Sequence, residues 1–243
     1  MRRLWVWVLC PIRFRRLTNI LYLVATPIGN LGDLSPRAIE VLSSVAVVYA
    51  EDTRVTRRLW SAFDIHTRLE RFDAATTTRK IPEVLSRLAA GDDLALVSDA
   101  GVPGVSDPGA PLVAAARDAG FEVSCIPGPS AAVTALAASG LPTYAYYFGG
   151  FLPRKEGKRQ RVLESLAELN ATLIFYESPY RVVKVLEHLA RVFPERRGAF
   201  ARELTKKFEE IRRLPLPELA AELAARETVK GEFVLLVEPP VRP

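Results

Sequence analysis

Glu51, Asp52 and Asp99 follow directly on short apolar runs, VAVVYA for the first two and LALV with one intervening serine for the third. Glu177 closes a further run, TLIFY, and Glu203 and Lys230 flank two more. A carboxylate at a strand end accepts a proton when water is kept from it, and a lysine does so when its pKa is depressed. Between and beside these groups lie loops of glycine, proline and small polar residues: TPIGN over 26–30, SDAGVPGVSDPG over 98–109 and PGPSA over 127–131. Their glycines permit positive φ and let backbone approach a bound molecule closely. Such loops, set where strands end and helices begin, are where open α/β sheets hold ligands. Each group also has a plainer reading. Glu51 and Arg54 could form a structural ion pair, and Asp107 before Pro108 is better read as a cap of the following helix.

The elements that must position these groups alternate regularly. Strand patterns occupy 21–25, 45–50, 66–72, 94–97 and 121–126, and helical patterns lie between and after them. Ser35-Pro36 reads as an N-cap and first helical residue, Thr77 or Thr78 as the cap of a later helix. Five strands alternating with helices predict a parallel, doubly wound sheet, with its strand-end loops along one edge. From Tyr144 the pattern changes. An aromatic run, Tyr144, Tyr146, Tyr147, Phe148 and Phe151, reads as a core strand broken by Gly149-Gly150. A basic segment follows with Arg154, Lys155, Lys158, Arg159 and Arg161, leading into a helix through 169. Strands are predicted over 172–176, 198–201 and 233–237, helices over 180–192 and 219–225, giving a mixed sheet with helices. The fold class is α/β in two domains, 20–141 and 145–243. Residues 1–19 carry a basic start and a short apolar centre without a small-residue cleavage site, and are expected to be a poorly ordered extension rather than a leader.

Composition excludes several classes. The chain has 243 residues, 49% of them hydrophobic, and a formal net charge of +5. Cys10 and Cys125 are too few for a disulfide framework and suit a reducing cytoplasm. With only His66 and His188 besides them, no metal site is expected. No apolar run reaches the ~18 residues of a membrane span. G-x-x-x-x-G-K-[ST], G-x-G-x-x-G after the first strand and G-x-S-x-G are all absent, which removes the P-loop, the ordinary dinucleotide fold and the hydrolase elbow. The remaining backbone groups, carboxylates and small side chains suit a ligand with an amino acid part, a ribose and an adenine, as in S-adenosylmethionine (AdoMet). The basic segment 154–161 reads either as a solvated helix face or as a phosphate-contacting one, and Lys206, Lys207, Arg212 and Arg213 as a second candidate patch.

Successive motifs of the sequence, LYLVATPIGNLGDLSPRAIEVL, AEDTR, ALVSDAGVPGVSDPG, IPGPSAAVTALAASGLP, FGGFLPRKEGKRQR, IFYESPYRV, ARELTKKFE and KGEFVLLVE, resemble in order those of the ribosomal RNA small subunit methyltransferase I family, of the tetrapyrrole methylase superfamily. The resemblance runs from about Leu21 to Glu238. It implies AdoMet-dependent 2′-O-methylation of a cytidine ribose in the decoding region of 16S rRNA, within the small ribosomal subunit, by a cytoplasmic homodimer. It also implies AdoMet in a cleft between the two α/β domains. Pro27 and Gly29 match the first-strand loop. Ser98, Asp99, Ala100, Gly101 and Pro103 match the loop over the methionine part. Pro127, Gly128, Ser130 and Ala131 match the next cofactor loop. Tyr176, Glu177, Glu203, Leu204, Lys230 and Gly231 match second-domain segments facing the cleft. Arg54 and the 154–161 cations are the expected RNA contacts, and the proton acceptor stays open among Glu51, Asp52, Asp99, Glu177, Glu203 and Lys230. Two departures stand out. Family members often carry a His-x-His-Asn-like segment after the third strand, where this chain has Phe72-Asp73-Ala74-Ala75-Thr76. Some also carry a helical C-terminal extension, which is expected to be missing beyond Pro243. A methylase of tetrapyrrole precursors and an AdoMet-responsive RNA-binding protein are the competing readings.

Overall fold

The computed structural model describes residues 19–240; the extension read over 1–19 lies outside them but for Asn19. The first sheet holds β1 (Ile20–Val24), β2 (Val47–Ala50), β3 (Leu69–Arg71), β4 (Leu94–Val97) and β5 (Glu122–Ile126), all parallel, in the order β3-β2-β4-β1-β5. Helices α1 (Pro36–Ser44) and α2 (Thr53–Phe63) cover one face through Val41, Leu42, Leu59 and Trp60. Helices α3 (Thr77–Ala89) and α4 (Ala110–Asp118) cover the other through Val84, Leu88, Leu112 and Ala116. Central strands are thus buried on both sides, which is why β4 reads as an unbroken LALV. Ser35 caps α1 by accepting from the Ala38 N–H at 3.1 Å, with Pro36 at the first helical position, a cap that contributes about 1 kcal/mol. The start of α3 falls slightly earlier than the Thr77 or Thr78 cap predicts. Asp73 N–H donates to Thr76 Oγ1 and Thr76 N–H to Asp73 Oδ1, both at 2.9 Å, so this pair makes the turn.

The second sheet holds β6 (Tyr146–Phe151), β7 (Thr172–Glu177), β8 (Arg197–Arg202), β9 (Glu210–Pro215) and β10 (Phe233–Val237), in the order β6-β7-β10-β8-β9. Only the β6–β7 pair is parallel, so the sheet is mixed, as the sequence predicts. Helices α6 (Glu156–Ser165), α7 (Val182–Val192) and α8 (Leu216–Ala224) pack on one face. The other face takes α5 (Ala131–Ser139), whose Ala135 and Leu136 lie among Ile174, Ala199, Val234 and Leu236. Sequence order attaches α5 to the first sheet, but packing puts it on the second. Its small residues Ala132, Ala135 and Ser139 let the sheet come close on that side, while Val133, Ala137 and Ala138 on the other side stay exposed. This helix couples the two halves mechanically.

Three expectations are corrected. The run Tyr144–Phe148 is not core: β6 is an edge strand bonded only to β7, leaving Tyr144 69% exposed and Tyr146 and Tyr147 exposed as well, with only Phe148 half-buried. The second basic patch is largely neutralised. It lies in and before β9, a strand the sequence analysis lacks; Arg212 pairs with Glu222 at 2.7 Å, and Lys206 pairs with Glu203 at 2.9 Å and Glu232 at 2.8 Å. Arg159 is the third: it is buried, not free for phosphate. Its Nε donates to His188 Nδ1 at 2.8 Å, so the ring's own proton sits on Nε2, facing Gln160 Oε1.

Burial, then the charges of Arg159 and Arg191, holds the His188 pKa below its ordinary value. A depressed histidine pKa gives stability that is complete above the unfolded value of about 6.5 and is lost as pH falls toward the folded one. Urea unfolding at pH 7 and pH 5 should show His188→Gln losing less stability over that interval than the parent chain. Equal losses would contradict the assignment.

Candidate functional site

The site is built on a tie between the loops after β1 and β4. Thr26 N–H donates to the Gly101 carbonyl at 2.9 Å, and Gly101 N–H donates back to the Thr26 carbonyl at 3.1 Å. Thr26 Oγ1 donates to the Ser98 carbonyl at 3.1 Å, and Ser98 Oγ to the Gly101 carbonyl at 3.1 Å. Gly101 reaches this geometry with φ at +83°, a region that side chains disfavour. Further along, Asp107 Oδ1 accepts from both Gly104 N–H and Gly109 N–H at 2.7 Å. Asp107 therefore braces the loop ahead of α4.

Between these loops and the second sheet lies a cavity of about 400 Å³. From the first half it is lined by Ile28, Ala100, Gly101, Val102, Ser130 and Ala131, and from the second by Phe151, Tyr176, Glu177, Ala201, Leu204 and Val234. Seven of the predicted cofactor residues are thus brought together: Ala100, Gly101, Ser130, Ala131, Tyr176, Glu177 and Leu204. Others shape it from outside the lining. A Cβ on Gly29 would lie 2.9 Å from the Leu204 carbonyl oxygen, and one on Gly128 would lie 2.9 Å from Ala25 Cβ, so both glycines are needed where backbones meet. Pro27, Pro103 and Pro127 turn the same loops, and Ser98 is spent on the tie described above. Glu203 is held by Lys206 and by the Glu232 N–H at 3.0 Å, with Gly231 packed against it, and Lys230 is exposed, its carbonyl accepting from Arg202 Nε at 2.6 Å.

Asp99 faces a different space. With Glu51, Asp52, Arg54, Arg71 and Asp73 it lines an open polar hollow of about 700 Å³ at the ends of β2, β3 and β4. Its Oδ1 accepts from the Asp52 N–H at 3.0 Å. Sequence reasoning missed Phe151, Ala201, Phe233 and Val234 as lining residues because they lie inside strands. Only the sheet order β6-β7-β10-β8 could have found them. Val102 and Val105 sit within the predicted loop and were within reach.

The candidate proton acceptors separate by environment. Burial pushes Glu177 up; its side chain is 1% exposed, and its Oε2 has no hydrogen-bond partner, although Arg181 Nη2 lies 3.2 Å away. Burial, then the neighbouring carboxylates Asp99, Asp107, Asp73 and Asp52, raises Glu51, and burial raises Asp99. Asp52 is held well below the carboxylate range by its hydrogen bonds and ion pair with Arg54, at 2.6 Å. For Glu203 the cost of burial is outweighed by the Glu232 N–H and Lys206, leaving it low. Arg54 stays largely exposed despite its pair with Asp52. Arg154, Lys155, Lys158 and Arg161 are exposed on and before the first turns of α6. Among the described residues, no group of three or more His, Cys, Asp or Glu side chains is placed to hold a metal ion, and no helix is long and apolar enough to cross a membrane.

Residues 20–220 match the model of the tetrapyrrole (corrin/porphyrin) methylase family. The chain is 48% identical over 220 residues to the ribosomal RNA small subunit methyltransferase I of Micromonospora olivasterospora, covering 90% of this chain and 70% of the relative. The chain belongs to the ribosomal RNA small subunit methyltransferase I family of tetrapyrrole methylases. Its identity to the protein of that name from Xylella fastidiosa is 48%, over 90% of this chain and 81% of the relative. To the one from Bacillus subtilis it is 42%, over 90% and 75%. Among solved structures, uroporphyrin-III-C-methyltransferase from Thermus thermophilus superposes with a TM-score of 0.61 at 23% identity, covering 90% of this chain and 94% of that one. This likeness bears on the fold alone, and it agrees with the two-sheet α/β architecture predicted from sequence.

A Cβ on Gly101 would find only ordinary contacts, the nearest at 3.5 Å, so Gly101→Ala tests backbone strain rather than a clash. The cost should be about 1–2 kcal/mol, with a matching loss of AdoMet affinity by calorimetry. Gly91, at φ +95° with open space around it, is the control. Gly91→Ala should cost similar stability and leave affinity unchanged; equal affinities in both variants would contradict the role given to the tie.

Proposed function

We propose that this chain, as a cytoplasmic homodimer, transfers the methyl group of AdoMet to the ribose 2′-hydroxyl of a cytidine in the decoding region of 16S rRNA, acting on the small ribosomal subunit. The observation that carries the proposal is a coincidence of place. The cavity is built from the strand-end loops of a chain that is 42–48% identical to relatives named as methyltransferases of small-subunit rRNA.

The cavity's residues fit AdoMet. Ser130 and Ala131 bring the N-terminus of α5 to the cavity, and Ser130 makes no side-chain cap bond. Such a helix start favours a carboxylate. The Oε2 of Glu177, close to Arg181 but without a hydrogen-bond partner, is an acceptor for an N–H or O–H group brought into the cleft. Small side chains at Ala100, Gly101, Ala131 and Ala201 leave room for a flat ring system, and Ile28, Val102, Phe151 and Leu204 keep water away. Bound there, AdoMet supplies an electrophilic methyl on a sulfonium. The chain's own contribution is then positioning, worth several kcal/mol of barrier when the geometry is held, and acceptance of the hydroxyl proton. Glu51, Asp99 and Glu177 are the carboxylates whose surroundings disfavour the charged form, which makes them the stronger bases. Asp52 and Glu203, already held ionised by cations, are weaker ones. Arg54, Arg154, Lys155, Lys158 and Arg161 supply phosphate contacts, which add affinity without sequence preference.

Small subunits lacking the modification, incubated with labelled AdoMet, should gain label at a single 2′-O position of 16S rRNA. No label with AdoMet binding intact would sink the proposal, and label in a tetrapyrrole precursor would replace it. Among Glu51→Gln, Asp99→Asn and Glu177→Gln, the variant lacking the proton acceptor should lower kcat about 10²-fold and flatten the acidic limb of the pH–rate profile. If all three keep the parent kcat, none of them is the proton acceptor.

A further inference from the structure

Two large aromatic side chains stand exposed beside the cleft: Phe151 lines it, and Tyr180 follows the lining residue Pro179. Phe151, at the end of β6, is 58% exposed, and Tyr180, just beyond β7, is 94% exposed. The segments that carry them are tied together. Phe151 stands opposite Tyr176 in the β6–β7 register and meets its ring edge-on at 5.8 Å. The turn from Glu177 to Tyr180 is pinned beside the end of β6, because Arg181 Nη2 donates to the Leu152 carbonyl at 2.8 Å. Phe151 and Pro179 both line the cavity, so this turn stands at its entrance.

The surroundings of the pair are cationic. Arg154 and Lys155 follow Phe151 by three and four residues, and Lys158 lies one turn on. All three are exposed and have no ion-pair partner among the described residues; the nearby Glu156 is taken by Arg191 at 2.8 Å. Exposed aromatics beside unpaired cations, leading into a cleft, are the combination that holds single-stranded nucleic acid, with rings stacking on bases and cations following the backbone. A protein partner would need an acidic surface against these cations.

We propose that Phe151 and Tyr180 form a stacking platform that takes an unpaired base of the RNA at the cleft mouth while Arg154, Lys155 and Lys158 hold its phosphates. This rests on the RNA-substrate reading above. It adds that the acceptor region must be presented unpaired, or be drawn out of its helix, before methyl transfer.

The test uses the full chain and a short single-stranded oligoribonucleotide carrying 2-aminopurine, whose fluorescence is quenched by stacking. The parent chain should bind it and quench it. Tyr180→Ala should weaken binding about tenfold, lose part of the quench, and keep both the salt slope and AdoMet affinity, whereas Tyr180→Phe should behave as the parent. Lys155→Ala/Lys158→Ala should instead flatten the salt slope and keep the quench. Parent-like binding and quench in Tyr180→Ala would overturn the platform while leaving the substrate reading intact. The same is true of a change in that variant's sedimentation mass without a change in RNA binding, which would make the patch a subunit contact. Absence of RNA binding by the parent chain would overturn both.

Discussion

The reciprocal backbone pair between Thr26 and Gly101 is the constraint on which the site depends. In the first sheet, β4 lies between β2 and β1, and the chain leaves β4 for one face while leaving both neighbours for the other. Each of its edges is therefore a place where the two helical layers part and a crevice opens. The pair closes the crevice on the β1 side by stitching the two loops together. The β2 side is left open as the hollow lined by Glu51, Asp52 and Asp99. Closing one crevice turns the loop over 98–109 outward, so that Ala100, Gly101 and Val102 face the second sheet. Without that closure the cavity would lack a floor.

The second sheet is brought to that floor by α5, packed on its face, and by loop contacts. Its alanines let the α5 backbone approach the second sheet closely, and its N-terminus then opens on the cavity. Gly29 against the Leu204 carbonyl adds a second close approach between the halves. The arrangement divides the work. The first half supplies backbone and small side chains, the second supplies Glu177, the aromatic rings and the cationic α6. Arg159 shows how fine that division is: it is drawn inside by His188, while its neighbours Lys158 and Arg161 stay out.

Much of this was legible in the residues. Strand β4, strand β10 and the Ser35-Pro36 start of α1 declare themselves, because burial on both faces leaves continuous apolar runs and capping chemistry is local. The convergence of the strand-end loops also followed from alternation alone. What was hidden depended on partners distant in sequence. Strand β9 is charged and at an edge, so it lacks the apolar alternation that marks a strand. The exposure of Tyr146 and Tyr147 follows from β6 being an edge, which only the pairing order reveals. Asp99 belongs to a cofactor-loop motif, yet its side chain points across to Asp52, because the turn at Gly101 sends successive residues to different spaces. Composition could say that Arg159 lies in a basic segment, but not that the turn of roughly 100° per residue carries it to the buried face while Lys158 and Arg161 stay on the solvent face.

The central claim is that one methyl-donor site is shared by both sheets across the Thr26–Gly101 tie. Amide hydrogen exchange with and without saturating AdoMet tests it most directly. Protection should rise together at the amides of 100–102 and 130–132 in the first half and of 176–178 and 232–234 in the second. Protection confined to one half, or appearing instead at 51–54 and 73–75 around the polar hollow, would contradict it.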